Sequence, residues 1–211
     1  MLGQFKIGYE EMAGLAAPGF LDGDIYSFIN KSQDTIIAGF AQSKQLIYLA
    51  PIIKSNTLTL SLIDSNIYGV TLPIDFRYYV SSESKIRLTS SISSEGFIPS
   101  AINTFPTVYE LVDNIEITLD SLGKLRKTKT NSNLYFSKPF ITTRDNQLLL
   151  LIDSYSELAT VDNFNLIYIR IPAQISETVN CELIESTHRD IVNMAIKMAQ
   201  SAVDNTKIRQ Q

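Results

Sequence analysis

Hydrophobic residues in the first 55 positions recur at the spacing of an α-helix. Over residues 24–40 they stand three, four or seven positions apart and share one helix face: Ile25, Phe28, Ile29, Ile36, Ile37 and Phe40. Asp24 is a residue type that caps helix N-termini. A second short helix is predicted over residues 43–50, where Pro51 interrupts it. This region therefore predicts a helical pair.

Between residues 57 and 172 the pattern changes to the alternation of β-strands. In the strand predicted over 57–63, Leu58, Leu60 and Leu62 share one face. The turn-forming residues 64–66 separate it from a second strand at 67–72, so this pair predicts a hairpin. The further predicted strands are 76–80, 85–92, 115–119, 147–155 and 165–171. The last two are the most apolar, so we expect them to be central.

Two stretches of the middle region are less regular. Residues 93–112 and 120–139 predict long loops, with a short helical piece at 120–126. Pro172 removes a backbone donor and is expected to end the strand before it.

The last region predicts a capped amphipathic helix. Thr187 and Asp190 have the spacing of a capping box, and Asp190 suits the positive end of the helix dipole. The following apolar stripe is Ile191, Val192, Ala195, Met198, Ala199, Ala202 and Val203.

Together these elements predict an α+β fold. We expect a mostly antiparallel β-sandwich or small open barrel, with an N-terminal helical pair and a C-terminal helix. The predicted regions are 1–55, 56–180 and 181–211, forming one structural unit.

Composition narrows the function classes. The net charge of −4 argues against a protein that coats nucleic acid. Charged residues are 19% of the chain, below the usual value of about 25%, which suits either surfaces covered by neighbours or a surface rich in Ser, Thr and Asn. The N-terminus has no signal-peptide pattern, and the apolar run 148–152 is far short of a membrane span, so we expect a soluble protein.

Candidate chemistry is sparse. The chain has one cysteine, Cys181, and one histidine, His188, too few for an internal disulfide or a zinc cluster. The sequence contains neither a G-x-S-x-G elbow nor a phosphate-binding glycine loop. We therefore predict no enzymatic activity, cofactor or metal, and we interpret His188 as a capping or packing residue at the start of the last helix.

One basic cluster stands out: Lys124, Arg126, Lys127 and Lys129. It is either a solvated loop tip or a contact with DNA or with an acidic face of a neighbouring subunit. No aromatic residue is interleaved with these charges, so a single-strand-binding surface is not expected.

Three sequence segments carry a family resemblance. The first, DIYSFINKSQDTIIAGF (24–40), contains N-x-x-Q. The second, TLPIDFRYYVSSES (71–84), contains LP-x-D-F. The third combines KPF (138–140), NLIYIRIPAQIS (165–176) and CELIESTHRDIVNMAIKMA (181–199). In this order they resemble head–tail adaptor and tail-tube-A-type neck ring proteins of short-tailed bacteriophages, including crAss-like phages. Ile184 and Lys138 depart from the proline and asparagine common there, and 93–135 has no counterpart.

The resemblance implies a non-enzymatic subunit of a ring, typically of twelve copies, in the head–tail connector of a phage. Its partners would be further copies of itself, the portal protein, other neck and tail proteins, and genomic double-stranded DNA that passes without sequence recognition. It would reside in the virion neck or tail after assembly in the host cytoplasm.

Two other readings compete with the connector subunit. One is a phage tail or surface β-sandwich binding module of the adhesin or baseplate kind. The other is a small hydrolase, which would need a nucleophile and a base in one pocket.

Overall fold

The computed structural model describes residues 1–13, 19–64, 67–88, 108–118, 120, 139–144, 146–151 and 159–208. The chain divides into two compact units, Met1–Ile53 with Ile169–Gln211, and Lys54–Tyr168. The first unit contains the long helices and the second most of the strands, so the predicted α+β class is confirmed. Residues 169–180, which we assigned to the β-region, belong to the helical unit.

The helical unit contains three long helices and two short 3-10 helices among its described residues. In chain order they are α1 (Leu2–Ala13), α2 (Asp22–Gln42), a 3-10 helix (Leu46–Ile52), a second 3-10 helix (Glu185–Thr187) and α3 (His188–Ile208).

The predicted apolar face of α2 is largely confirmed. Its buried residues are Ile25, Ile29, Ser32, Gln33, Ile36 and Ile37. The prediction of Asp24 as the N-cap is wrong. The N-cap is Leu21, three residues earlier, and Asp22 and Asp24 both lie in the first turn, where the helix dipole favours negative charge.

The prediction of an α-helix over 43–50 is also wrong. Lys44 has a positive φ of 55°, and the amide of Gln45 donates to the carbonyl of Phe40, which is the pattern of a Schellman helix end. The chain then forms the 3-10 helix Leu46–Ile52, which contains Pro51.

Helix α1 was not predicted as a separate element. It buries Phe5 and Tyr9. Gly8 brings its backbone close to α3, because a Cβ at this position would lie 2.8 Å from Cδ1 of Ile196. Glycine thus permits the close approach of the two helices.

The apolar stripe of α3 is confirmed in its first three turns. Ile191, Val192, Ala195 and Ala199 are buried, and so is Ile196, which we had not included, whereas Ala202 is exposed. The capping box is not formed. The Thr187 hydroxyl donates to the carbonyl of Ile184 at 2.8 Å and so stabilises the 3-10 turn that precedes α3.

The β-unit is built from two sheets. The strands are β1 (Ile53–Leu58), β2 (Ser61–Asp64), β3 (Ile67–Thr71), β4 (Phe76–Leu88), β5 (Val108–Asp113), β6 (Ile115–Glu116), β7 (Phe140–Arg144), β8 (Gln147–Leu151) and β9 (Ala159–Arg170). Over the described residues, the orders are β1-β9-β4-β5 and β2-β3-β8-β7-β6. The pairings β2–β3, β3–β8, β4–β5 and β7–β8 are antiparallel, and β6–β7 is parallel.

Side chains of both sheets share one core, which makes the unit a β-sandwich. Its buried members are Val70, Leu72, Ile141, Leu148, Leu150, Phe164, Leu166 and Tyr168. On the opposite face of β8, Leu149 packs with Ile67 in a smaller cluster. Strand β8 is therefore covered on both faces, which explains its uninterrupted leucines and confirms its predicted central place, as does the interior position of β9.

Several predicted strand boundaries are wrong. The segment 57–63 is divided between β1 and β2, which belong to different sheets. Leu62 is 62% exposed, whereas Leu58 and Leu60 are partly buried against the core. The hairpin itself is confirmed as the antiparallel pair β2–β3. The predicted strands 76–80 and 85–92 are one strand as far as Leu88.

Two further corrections concern the loops. Residues 108–112 form most of β5 where a loop was predicted, and the strand predicted over 115–119 is shortened to Ile115–Glu116. The helical piece predicted at 120–126 lies outside the described residues except for Asp120, which is helical.

The shared core predicts a large cost for removing a leucine from β8. Leu150→Ala should lower the free energy of unfolding by about 3 kcal/mol, because the fully buried side chain leaves a cavity. Leu62→Ala, the same change at an exposed site of the same sheet, should cost less than about 0.5 kcal/mol. Urea unfolding of both variants measures the difference, and equal losses would show that the core is placed wrongly.

Candidate functional site

The single histidine has a structural contact. His188 Nε2 lies 2.9 Å from the carbonyl oxygen of Leu183. Because a carbonyl only accepts, this nitrogen must carry the proton. The contact joins the first residue of α3 to the segment before it, which agrees with our interpretation of His188 as a capping or packing residue.

The single cysteine is poorly suited to nucleophilic chemistry. Cys181 is half-buried, and its Sγ donates to Oε1 of Gln33 at 3.4 Å. Burial raises the pKa of the thiol, so the reactive thiolate is scarce at neutral pH.

The described residues contain no group of three or more His, Cys, Asp or Glu side chains able to hold a metal ion. In the same part of the chain, no helix combines the length and apolarity required to cross a membrane.

The predicted basic cluster cannot be placed. Lys124, Arg126, Lys127 and Lys129 lie outside the described residues, as does most of the segment 93–135. Their contact with DNA or a neighbouring subunit stays a prediction.

The polar side chains that do converge come mainly from the three motif segments. In the helical unit, Asn30 and Gln33 of the N-x-x-Q motif bind the segment 171–184, which we call the strap. Asn30 Nδ2 donates to the carbonyl of Ile175 at 3.0 Å, and the amide of Ile175 donates to Asn30 Oδ1 at 2.7 Å. One side-chain amide thus satisfies both backbone groups of Ile175, as a neighbouring strand would.

Gln33 makes the second attachment of the strap. Its Nε2 donates to the carbonyl of Ala173 at 3.4 Å, and its Oε1 accepts from Cys181. Gln33 is only 1% exposed, so these bonds satisfy a polar group that would otherwise be buried without partners.

Glu182, near the C-terminal end of the strap, binds residues at or just before the N-terminal end of the strap. Its carboxylate binds Arg170 through two bonds, 2.6 Å to Nη2 and 3.0 Å to Nη1, and it also accepts from the amide of Ala173 at 2.8 Å. This two-point ion pair fixes orientation as well as distance. It connects the end of β9 with the segment that leads to the 3-10 helix Glu185–Thr187.

In the β-unit, a second cluster surrounds Asp75 of the LP-x-D-F motif. Its carboxylate accepts from Lys54 Nζ at 2.6 Å and from the Tyr168 hydroxyl at 2.8 Å. The ring of Phe76 lies 5.7 Å from that of Tyr168. The hydrogen bond from Lys54 is the largest cause that lowers the pKa of Asp75, while burial opposes it.

The serines that follow in the same motif form a third cluster. Ser84 donates to Asn114 Oδ1 at 2.8 Å, Asn114 Nδ2 donates to Ser82 Oγ at 2.9 Å, and Ser82 Oγ lies 2.9 Å from the Tyr79 hydroxyl. Asn114 stands where the chain passes from β5 in one sheet to β6 in the other. The cluster therefore fixes the crossing between the two sheets.

In the helical unit these side chains bind the backbone of the strap, and in the β-unit they bind one another. None of these clusters presents a nucleophile beside a base. The motifs pointed to Asn30, Gln33 and Asp75, although only through the resemblance. The pairing of Arg170 with Glu182 was missed, and its one signal was an arginine at the end of an apolar strand.

No protein-family model matches the chain, and no curated protein matches it in sequence. The resemblance to phage neck proteins therefore rests on the three motif segments.

The lowered pKa of Asp75 predicts a pH-dependent contribution to stability. Its ordinary value is 3.8 and the folded value is lower, so the ionised group stabilises the fold above the ordinary value, and this contribution is lost as the pH falls through the folded value. The stability difference between the wild type and Asp75→Asn should be full at pH 6 and shrink below about pH 4. Lys54→Met should reduce this pH dependence. A difference that stays constant from pH 6 to pH 3 would contradict the prediction.

Proposed function

We propose that this chain is a structural subunit of a phage head–tail connector, assembling with copies of itself into a ring of about twelve below the portal. The observation that carries the proposal is that polar residues of the three motif segments form hydrogen bonds within the folded chain. Asn30, Gln33, Asp75, Ser82 and Glu182 each bind backbone or another side chain of the same unit. Such residues specify a shape, which is what a ring subunit supplies.

The exposed apolar residues support an assembling subunit. Large aliphatic side chains that are more than half exposed include Ile7, Leu21, Ile47, Leu62, Ile63 and Ile74. Isolated exposed hydrophobics are common, but Ile74 is fully exposed within a turn whose next residue, Asp75, is bound by Lys54 and Tyr168. A neighbouring subunit would remove these side chains from water.

The charge of the chain fits a channel through which DNA passes. A subunit with a net charge of −4 repels phosphate overall, so the DNA would slide past without sequence recognition and without sticking. The partners would be the portal protein and other neck and tail proteins, and the location would be the virion. We propose no enzymatic activity for the chain.

Mass measurement tests the proposal. The purified chain, alone and together with the portal protein of the same phage, should form a complex of about twelve copies in native mass spectrometry or mass photometry. A stable trimer would instead favour the β-sandwich binding module, because surface receptor-binding modules are commonly trimeric.

His188→Ala should assemble like the wild type if it retains its fold, since the ring needs no catalytic base.

A chain that stays monomeric at high concentration with the portal present would contradict the connector proposal. A reconstruction of the virion that places the chain outside the neck and tail would do the same.

A further inference from the structure

The strap has no helix or strand of its own, although it joins β9 to the 3-10 helix before α3. Most of its residues are exposed, and its buried side chains are Pro172, Ile175 and Leu183. Within it, the amide of Ser176 donates to the carbonyl of Val179 at 3.0 Å. Its conformation therefore depends on what attaches it to the rest of the helical unit.

The attachments are side-chain bonds at a few points. Asn30 binds both backbone groups of Ile175, and Gln33 binds Ala173 and Cys181. A segment held by few side-chain bonds and few buried apolar groups opens at lower free energy than a helix held by its own backbone ladder.

The helices pack against one another without the strap. In α2, the Ser32 hydroxyl lies 3.5 Å from Sδ of Met198 in α3. Gly8 of α1 packs directly against Ile196 of α3. Neither contact involves a residue of the strap.

We propose that the strap is a local opening unit that detaches from α2 while α1, α2 and α3 stay packed, and that the Asn30 amide is the latch that controls the opening. The open state exposes Gln33 and Cys181 to solvent. This conformational device is independent of the connector proposal, because it rests only on contacts within one folded chain.

The chain has one cysteine, Cys181, so the opening can be measured as the reaction rate of its thiol without introducing another cysteine. Reaction of Cys181 with Ellman's reagent is followed at one fixed pH in increasing urea, beside far-UV circular dichroism. Opening of the strap exposes little surface, so the reaction rate should change weakly with urea before the helices unfold, whereas global unfolding depends on urea steeply.

Asn30→Ala should raise the labelling rate about tenfold at unchanged helical signal, because both bonds to Ile175 are lost. Lys31→Ala, which alters the exposed neighbouring residue of the same helix, should leave the rate unchanged. Asn30 is preferred to Gln33 for this test, since Gln33 touches the thiol and would alter its intrinsic reactivity.

Two results would overturn the proposal. One is an Asn30→Ala rate equal to that of Lys31→Ala, which would mean that the reagent attacks the closed structure directly. The other is a labelling rate that follows global unfolding at all urea concentrations. If Asn30→Ala lowers the helical signal, Asn30→Asp provides a second variant: its carboxylate can still accept from the amide of Ile175 but cannot donate to the carbonyl of Ile175, so it should raise the rate with the helices intact.

Discussion

Backbone groups that leave a strand must find new hydrogen-bond partners, and at the end of β9 distant side chains meet this need. Up to Tyr168 the strand belongs to the β-unit, where the Tyr168 hydroxyl binds Asp75. Beyond it, Arg170 is held by Glu182, and the backbone of the strap is bound by Asn30 and Gln33. Pro172 prevents the strand from continuing, so these side chains replace the missing ladder. Residues of all three motif segments thus bind β9 or the strap that continues it. Each of these contacts lies inside one unit.

The helices show how far periodicity alone can lead. The spacing of apolar residues predicted α2 and α3 with their buried faces, because burial of one face dominates the stability of such helices. It gave no role to Asn30 or Gln33, which are polar residues whose partners lie more than 100 positions away. Nor did it separate α1, whose close contact with α3 depends on a glycine. The helix ends were missed for a related reason: the N-cap is Leu21, which has no capping side chain, and the C-terminal end depends on the positive φ of Lys44, a residue type that does not signal such a conformation.

In the strands, the most apolar segments were predicted correctly and the buried polar residues were not. The leucines of β8 were correctly predicted to be central, since only burial on both faces explains so long an apolar run. Strands were predicted over 76–80 and 85–92, with the serine-containing residues 81–84 left between them. In the structure Ser82 and Ser84 lie inside β4, and Asn114 satisfies them across the sheet crossing. A tertiary partner, Asn114, therefore decided the structure of this segment.

The hydrogen bond from Tyr168 to Asp75 joins two of the motif segments and should couple them energetically. A double-mutant cycle with Asp75→Ala, Tyr168→Phe and the double variant, followed by urea unfolding at neutral pH, measures this directly. We predict a coupling free energy of about 1 kcal/mol, because a hydroxyl donates to a charged, partly buried acceptor. Stability losses that simply add, with no coupling, would contradict it.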